Sequence, residues 1–336
     1  MAPDGVLGYL AHGLAEFLAL FLRGSSFLSA GPLAVALAIA LAVLIAREKR
    51  RAGRIGGSGL RRVLAELFAR RIYLHPSAKR DYAVLAINHG FLFFLTASAL
   101  VTPVVVTEFL TEAAAREGYA IAAPEPDLAL RVAFTVVLLL VWDFAATFAH
   151  FLNHKVPILW EFHKVHHSAE VLTPATALRR HPVEALTGGF MTIFALGLAT
   201  ALWLVAIGDC GGIYTVFGMS AGLFAWRLLG YNLRHSHVWL SYGPFWNRVL
   251  ISPAQHQIHH SVEPRHHDRN FGHIFAFWDA LFRTLYLPKP DERFALGIAA
   301  SEMPDYRSVP KLYVVPFAKA AALIGRREGV LRPLGR

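Results

Sequence analysis

Any chemistry this chain performs has to be sought first in histidine, because its 17 copies are grouped rather than scattered. His150 and His154 stand four residues apart, and His163, His166 and His167 follow the spacing i, i+3, i+4. At about 3.6 residues per turn, such spacings place the imidazoles of each group on one helix face. His256, His259 and His260 repeat the second spacing further along the chain. Both HxxHH stretches begin after a proline, Pro157 and Pro253, the residue type favoured at a first helical position, and Ser252 is placed to cap the second helix.

These three boxes supply more imidazoles than the about four to six ligands of a single ion, so two metal ions is the economical reading. Surface histidines on polar turns would explain one HxxHH, but not two copies together with an HxxxH. Nitrogen-only donors suit iron, copper or zinc. A zinc peptidase of the common type carries glutamate inside HExxH. Neither HxxHH does so, and Glu161 and Glu170 only flank the second box, which disfavours hydrolysis. With Cys210 as the one cysteine, an intrachain disulfide and a cysteine-ligated iron–sulfur cluster are both excluded, and histidine must hold the metal.

The elements that position these boxes are apolar. Of 336 residues, 55% are hydrophobic and 17% charged, with a mean hydropathy of +0.43. A soluble domain carries about 25% charge, so the composition is that of an integral membrane protein. Much of the net charge of +10 lies in one run, Arg47 to Arg62, directly after an apolar segment. That arrangement marks a cytoplasmic loop that sets topology and touches anionic lipid, and it argues against nucleic-acid binding.

Taken in order, residues 1–127 form an N-terminal membrane region. It holds an apolar helix at 5–22, interrupted by His12 and Glu16 and not expected to be a signal peptide. A span at 31–46, the basic cytoplasmic loop 47–80, a second span at 83–107 and an outside loop with Arg116 follow. His75 reads as a loop residue and His89 as a buried, hydrogen-bonded one. A third span, 128–149, delivers His150 and His154 to the cytoplasmic end. Its Asp143 needs a partner inside the membrane, either a ligand imidazole or Arg179 or Arg180.

Two apolar segments within 184–232, joined around Asp209 and Gly211, predict a membrane hairpin that returns the chain to the same side. The third box then meets the first two. Phe271, Ile274, Phe275, Trp278, Leu281 and Phe282 recur at helical spacing and predict a helix on the membrane or the bundle. Asp268 and His273 stand within reach of the metals, while Asn270 and Gly272 read as turn residues. Residues 291–336 read as a basic cytoplasmic C-terminal tail. The fold class expected is all-α, an integral membrane helical bundle with a cytoplasmic histidine-rich cap holding a dinuclear metal site.

HFLNH, HKVHH and HQIHH, in this order and separated by the hairpin, resemble the fatty acid hydroxylase/sterol desaturase superfamily. Further marks are WDF at 142–144, Ser168 and Ser261 after the HxxHH motifs, RRHP at 179–182, RHSH at 234–237, NFG at 270–272 and WDALF at 278–282. The resemblance covers about 140–290 well and makes 128–290 the catalytic region. It implies two irons on the cytoplasmic side, activating O2 to hydroxylate or desaturate a C–H bond of a lipid or sterol. His150, His154, His163, His166, His167, His256, His259 and His260 carry over as ligands, His235 joins them, and His237 is a further candidate.

His181, Asp143, Asp268 and Asn270 are implied as supports behind the ligands. Two positions depart from the pattern: Phe151 replaces the arginine of HRxxH, and Arg283 stands where WDxLFGT has glycine. The substrates implied are a sterol, a fatty acyl chain, an alkylglycerol or an amino-lipid such as ornithine lipid. The chain shows no flavin, haem or dinucleotide motif, so a separate electron-donor protein is expected. The expected location is a multi-pass protein of a bacterial inner membrane. Two competing readings remain, a metal transporter with ligands near the bilayer midplane and a zinc hydrolase with an acid at a metal-bound water.

Overall fold

Among the described residues, alanine, leucine and valine in long runs build three helices long and apolar enough to cross a membrane, with most of their surface turned outward. They are α2 (Ala30–Ala52), α6 (Leu128–Lys155) and α8 (Pro182–Ala206). At about 1.5 Å per residue each exceeds the ~30 Å hydrocarbon core. The computed structural model describes residues 5–23, 26–92, 102–122, 127–216, 219–290 and 292–325. The remaining labelled helices are α1 (Gly5–Leu22), α3 (Gly57–Leu67), α4 (Pro76–Gly90), α5 (Pro103–Arg116), α7 (Pro157–His167), α9 (Ala221–Leu228), α10 (Pro253–His259), α11 (Phe277–Phe282) and α12 (Val309–Gly325). Among the described residues the one strand pair joins Thr215–Val216 with Met219–Ser220.

The basic run is not a loop. Arginine, lysine and glutamate propagate helices well, so α2 continues to Ala52 and stops at Gly53, whose φ of 73° a Cβ would strain. The buried Glu48 accepts from Arg62 of α3 and pairs with Arg51. This ties α3 against α2, where Val63 and Leu67 join Ala36, Ala40 and Leu44 in one core.

Of the segment expected as a span at 83–107, residues 93–101 lie outside the described residues, and the described parts are the end of α4 and the start of α5. α5 runs on to Arg116, where a loop was expected, because TEAAAR favours helix.

The hairpin expected after the second box is only half helical. α8 has 25 residues, whereas α9 has 8 and is too short to span. The return is instead an irregular strand of chain laid down α6: Tyr214 N–H donates to Thr135 Oγ1, Gly222 abuts Leu139, and Trp226 packs edge-on to Trp142. Glycines at 208, 211 and 212 with positive φ open this path.

Two further expectations are corrected. Residues 271–276 are not helical, and α11 begins only at Phe277, since two carboxylates take the backbone N–H groups a helix would use. The segment expected as a tail folds back as α12 and packs on α7. Leu312, Tyr306, Met303 and Ile298 close over Val165 and Val84, so this segment belongs to the core beneath the histidines.

Candidate metal centre

The histidine helices start as their sequences require. Pro157 and Pro182 occupy first-turn positions of α7 and α8. Ser252 and Gln255 form a capping box at α10. α6 carries His150 and His154 through its last turns, and one residue, Val156, separates it from α7. With that short link the two helices must pack side by side.

The result is two buried clusters, one of His150, His154, His163, His167 and His259, the other of His166, His235, His256 and His260. Within each, one nitrogen per ring lies within 4.8 Å of all the others. The two HxxHH boxes interlock. The i and i+4 members of the second box, His163 and His167, take the i+3 member of the third, His259. The i and i+4 members of the third, His256 and His260, take His166 and add His235.

The donor atoms suit a bound cation. His166 Nε2 and His235 Nε2 are 3.3 Å apart, His235 Nε2 and His256 Nε2 are 2.9 Å apart, and His256 Nε2 and His260 Nε2 are 3.3 Å apart. A neutral imidazole has one N–H and one lone pair, so a chain of Nε2 atoms facing one another cannot be satisfied by hydrogen bonds alone. Nitrogens about 2.1 Å from a shared ion sit about 3 to 3.4 Å apart. In the first cluster, Nε2 of His163 and of His259 are buried with no protein partner.

Burial holds the His167, His166, His235, His256 and His260 imidazoles well below their ordinary pKa, with neighbouring histidines and arginines adding to the effect. Burial brings His259 down to about 3. Burial thus favours the neutral ring, the form that ligates.

What lies behind the rings differs between clusters. His150 Nδ1 donates to the Phe271 carbonyl at 2.9 Å, and His259 Nδ1 donates to the Arg269 carbonyl at 2.8 Å, leaving Nε2 of each for a metal. His163 Nδ1 lies 3.1 Å from Glu184 Oε1, and His154 Nδ1 lies 3.7 Å from Asp268 Oδ1. In the second cluster Arg234 donates to His256 Nδ1 at 2.9 Å.

The remaining sequence candidates are placed as follows. His237 is in neither cluster; its Nε2 donates to the Glu66 carbonyl at 2.8 Å. Asp143 touches no ligand imidazole and no arginine of the RRHP motif. It accepts from the N–H groups of Ile274 and Phe275 and from Trp278 Nε1. Arg179 is fully buried against Asp81 instead. His181 caps α8 by accepting from Val183 N–H, and its Nε2 faces the Tyr313 carbonyl. Asn270, at φ 57°, donates to the Gln255 carbonyl and accepts from Tyr286 N–H, so it fixes the backbone beyond the third box.

Sequence reasoning missed Glu184, whose signal was its place one turn after RRHP at the start of α8. It also missed Asp279, a fully buried acid that accepts from Phe271 and Gly272 N–H and from Thr284 Oγ1. Asp143 and Asp279 together grip the loop whose Phe271 carbonyl orients His150.

Beside the clusters opens a cavity of about 450 Å³. Its walls include His150, His163, His166, His235, His256 and His273, and it continues between α6 and α8 past Ala146, Gly188 and Gly189.

Residues 135–284 match the family model described as fatty acid hydroxylase. Alkylglycerol monooxygenase of Caenorhabditis elegans is 26% identical over 160 residues, covering 48% of this chain and 28% of the relative. Ornithine lipid hydroxylase OlsE of Rhizobium tropici is 27% identical over 203 residues, covering 59% of this chain and 53% of the relative. Alkylglycerol monooxygenase of Homo sapiens is 27% identical over 143 residues, covering 42% and 28%. The chain thus spans about half or less of the length of these relatives. No solved structure matches it significantly.

Proposed function

We propose that this chain, whose residues 135–284 match the fatty acid hydroxylase family model, is a membrane-bound non-haem diiron oxygenase acting on a lipid. The observation that carries the reading is the interlocked pair of buried histidine clusters at the wall of a cavity between two apolar helices. His150, His154, His163, His167 and His259 would hold one iron, and His166, His235, His256 and His260 the other. Bound there with O2 and external electrons, the two irons supply oxidation of an unactivated C–H bond.

The chain's own residues do the rest. Phe271, Arg269, Glu184 and Asp268 aim the first cluster's rings. Asp143 and Asp279 keep the 271–275 loop in place against the ends of α6 and α10. Val165, Ile298, Leu312 and Tyr306 seal the underside against water. The small residues Ala146, Gly188 and Gly189 leave the space along which a lipid chain enters from the bilayer.

Both lipid-oxidising relatives support a lipid substrate in general rather than one lipid in particular. Electrons come from a separate protein. The basic residues at the end of α2 support a cytoplasmic placement of the histidine end under the positive-inside rule, in a bacterial inner membrane. Glu161, the acid nearest the second box in sequence, is committed to Lys164 at 2.9 Å, which leaves it unsuited to activating a hydrolytic water.

The test is elemental analysis of detergent-purified protein followed by mass spectrometry of lipids incubated with iron, O2 and a reductant. About two irons per chain and an oxygenated or desaturated lipid are expected. Zinc alone, persisting after ferrous reconstitution, would sink the reading.

A further inference from the structure

His273 belongs to neither cluster, yet it faces the same cavity as five of the clustered histidines, His150, His163, His166, His235 and His256. Its ring stands edge-on between Trp142, at 6.0 Å between centroids, and His150, at 5.8 Å. Nδ1 is buried with no protein partner, a state that native structures seldom leave to a polar atom without a use.

The backbone beneath this ring is held from four sides. Thr147 Oγ1 accepts from His273 N–H, and Arg234 donates to its carbonyl at 2.6 Å. Asp279 takes the N–H of the preceding Gly272, and Asp143 takes that of the following Ile274. The Gly272 position is tight as well, since a Cβ there would sit 2.7 Å from Ile251 and 2.8 Å from Asp279. This is far more fixation than a merely space-filling ring needs.

The cavity is graded along the helices. α6 and α8 are antiparallel, so the level of His150 and Glu184 is the polar end. The level of Trp142 and Thr192 is eight residues away on each helix and thus about 12 Å deeper, where Trp142, Leu223 and Trp226 line the cavity. A Cβ on Gly188 or Gly189 would meet nothing within 4 Å, so this deeper part has room along its length. Polar donors and acceptors gather at the polar end, where Glu184 Oε2 is also buried without a hydrogen-bond partner and Arg180 Nε stands 3.7 Å from Glu184 Oε1.

Resting on the oxygenase reading above, we propose that His273 is a substrate-positioning residue: it hydrogen-bonds an oxygen-bearing polar end of an amphiphilic lipid whose chain extends between α6 and α8. A neutral imidazole offers one donor and one acceptor, which fits a hydroxyl, ether or ester oxygen. The carbon presented to the clusters then lies within a few bonds of that polar group rather than at the far end of the chain.

The experiment compares 1-hexadecanol with hexadecane, equal in chain length and differing in one oxygen, on the full-length purified holoprotein. Binding is followed by the fluorescence of Trp142 and Trp226, which line the cavity, and turnover is followed by product analysis. Wild type is expected to bind the alcohol about 3- to 10-fold more tightly, the size of one net hydrogen bond. His273→Phe should remove that preference at unchanged metal content and Tm, raise KM for the alcohol more than it lowers kcat, and scatter the oxidised position. His273→Asn should restore part of the preference.

An unaltered preference in His273→Phe, no preference in wild type, or loss of metal from both variants would each overturn the proposal. A His273-dependent preference without any oxidised product in wild type would uphold the positioning role and count against the oxygenase reading.

Discussion

The two histidine clusters are made of the same side chain but are backed by opposite charge. Oxygen atoms stand behind four of the five rings of the first: two backbone carbonyls, Glu184 and Asp268. The second has the Arg234 guanidinium against His256, while His166 Nδ1 and His260 Nδ1 are buried without a protein partner. Oxygens behind a ligand raise its basicity and fix its tautomer, whereas a nearby guanidinium opposes a second cation. In the proposed centre the first cluster would therefore be the tighter metal site and the second the more exchangeable one. A count of ligands would not reveal this, because both are buried and both are all-histidine.

Removing a ligand from either side tests the division most severely. His259→Ala should empty the five-histidine cluster and His166→Ala the four-histidine one, each abolishing oxidation by at least about 100-fold while the protein stays in the membrane. Elemental analysis of both variants checks this. Loss of all metal from one variant and none from the other would break the picture of two separable sites.

Acid gives the next largest effect. Burial depresses the pKa of His166, His167, His235, His256 and His260, and brings that of His259 to about 3 against an ordinary 6.5. In this window the unfolded chain binds more protons than the folded one, so stability falls as pH drops from about 6.5 toward about 3. Metal-free protein should lose several kcal/mol over that range. Metal-loaded protein should resist until protons displace the ion, and the second cluster should release first. Thermal melts and metal release against pH measure both.

Glu184→Gln sharpens the comparison without deleting a ligand. It should weaken the first cluster's metal affinity about 10- to 100-fold and leave the second unchanged, as read by chelator competition. The smallest effect concerns Arg283, at φ 60° in the left-handed region that ends α11. The resemblance led us to expect glycine there, and the backbone supplies the reason. Arg283→Gly should stabilise by up to about 1 kcal/mol and leave metal content in both clusters as it was.

Helices whose periodic pattern is local were legible in the sequence: α6, α7, α8 and α10, with the Ser252 cap, need only their own residues. Less legible were segments whose hydrogen bonds go elsewhere. Phe271 to Ala276 has helical apolar spacing, yet Asp143 and Asp279 from distant positions claim its N–H groups. The return past Asp209 is apolar enough for a span, but glycines break it, and it descends α6 through a two-residue strand pair and the short α9 rather than as one long helix. The C-terminal segment looked basic and solvated because its apolar face has meaning only once α7 lies beneath it.

The sequence by itself determined which histidines share a helix face as groups, since spacing along one helix is a local property set by 3.6 residues per turn. It could not determine how those groups divide. His166 and His167 are neighbours in the chain, but successive residues diverge by about 100° around a helix axis, so they turn to different clusters, as do His259 and His260. Which partner each then meets depends on how α6, α7 and α10 pack. The same packing decided that His235 enters a cluster while His237, two residues on, turns to the Glu66 carbonyl.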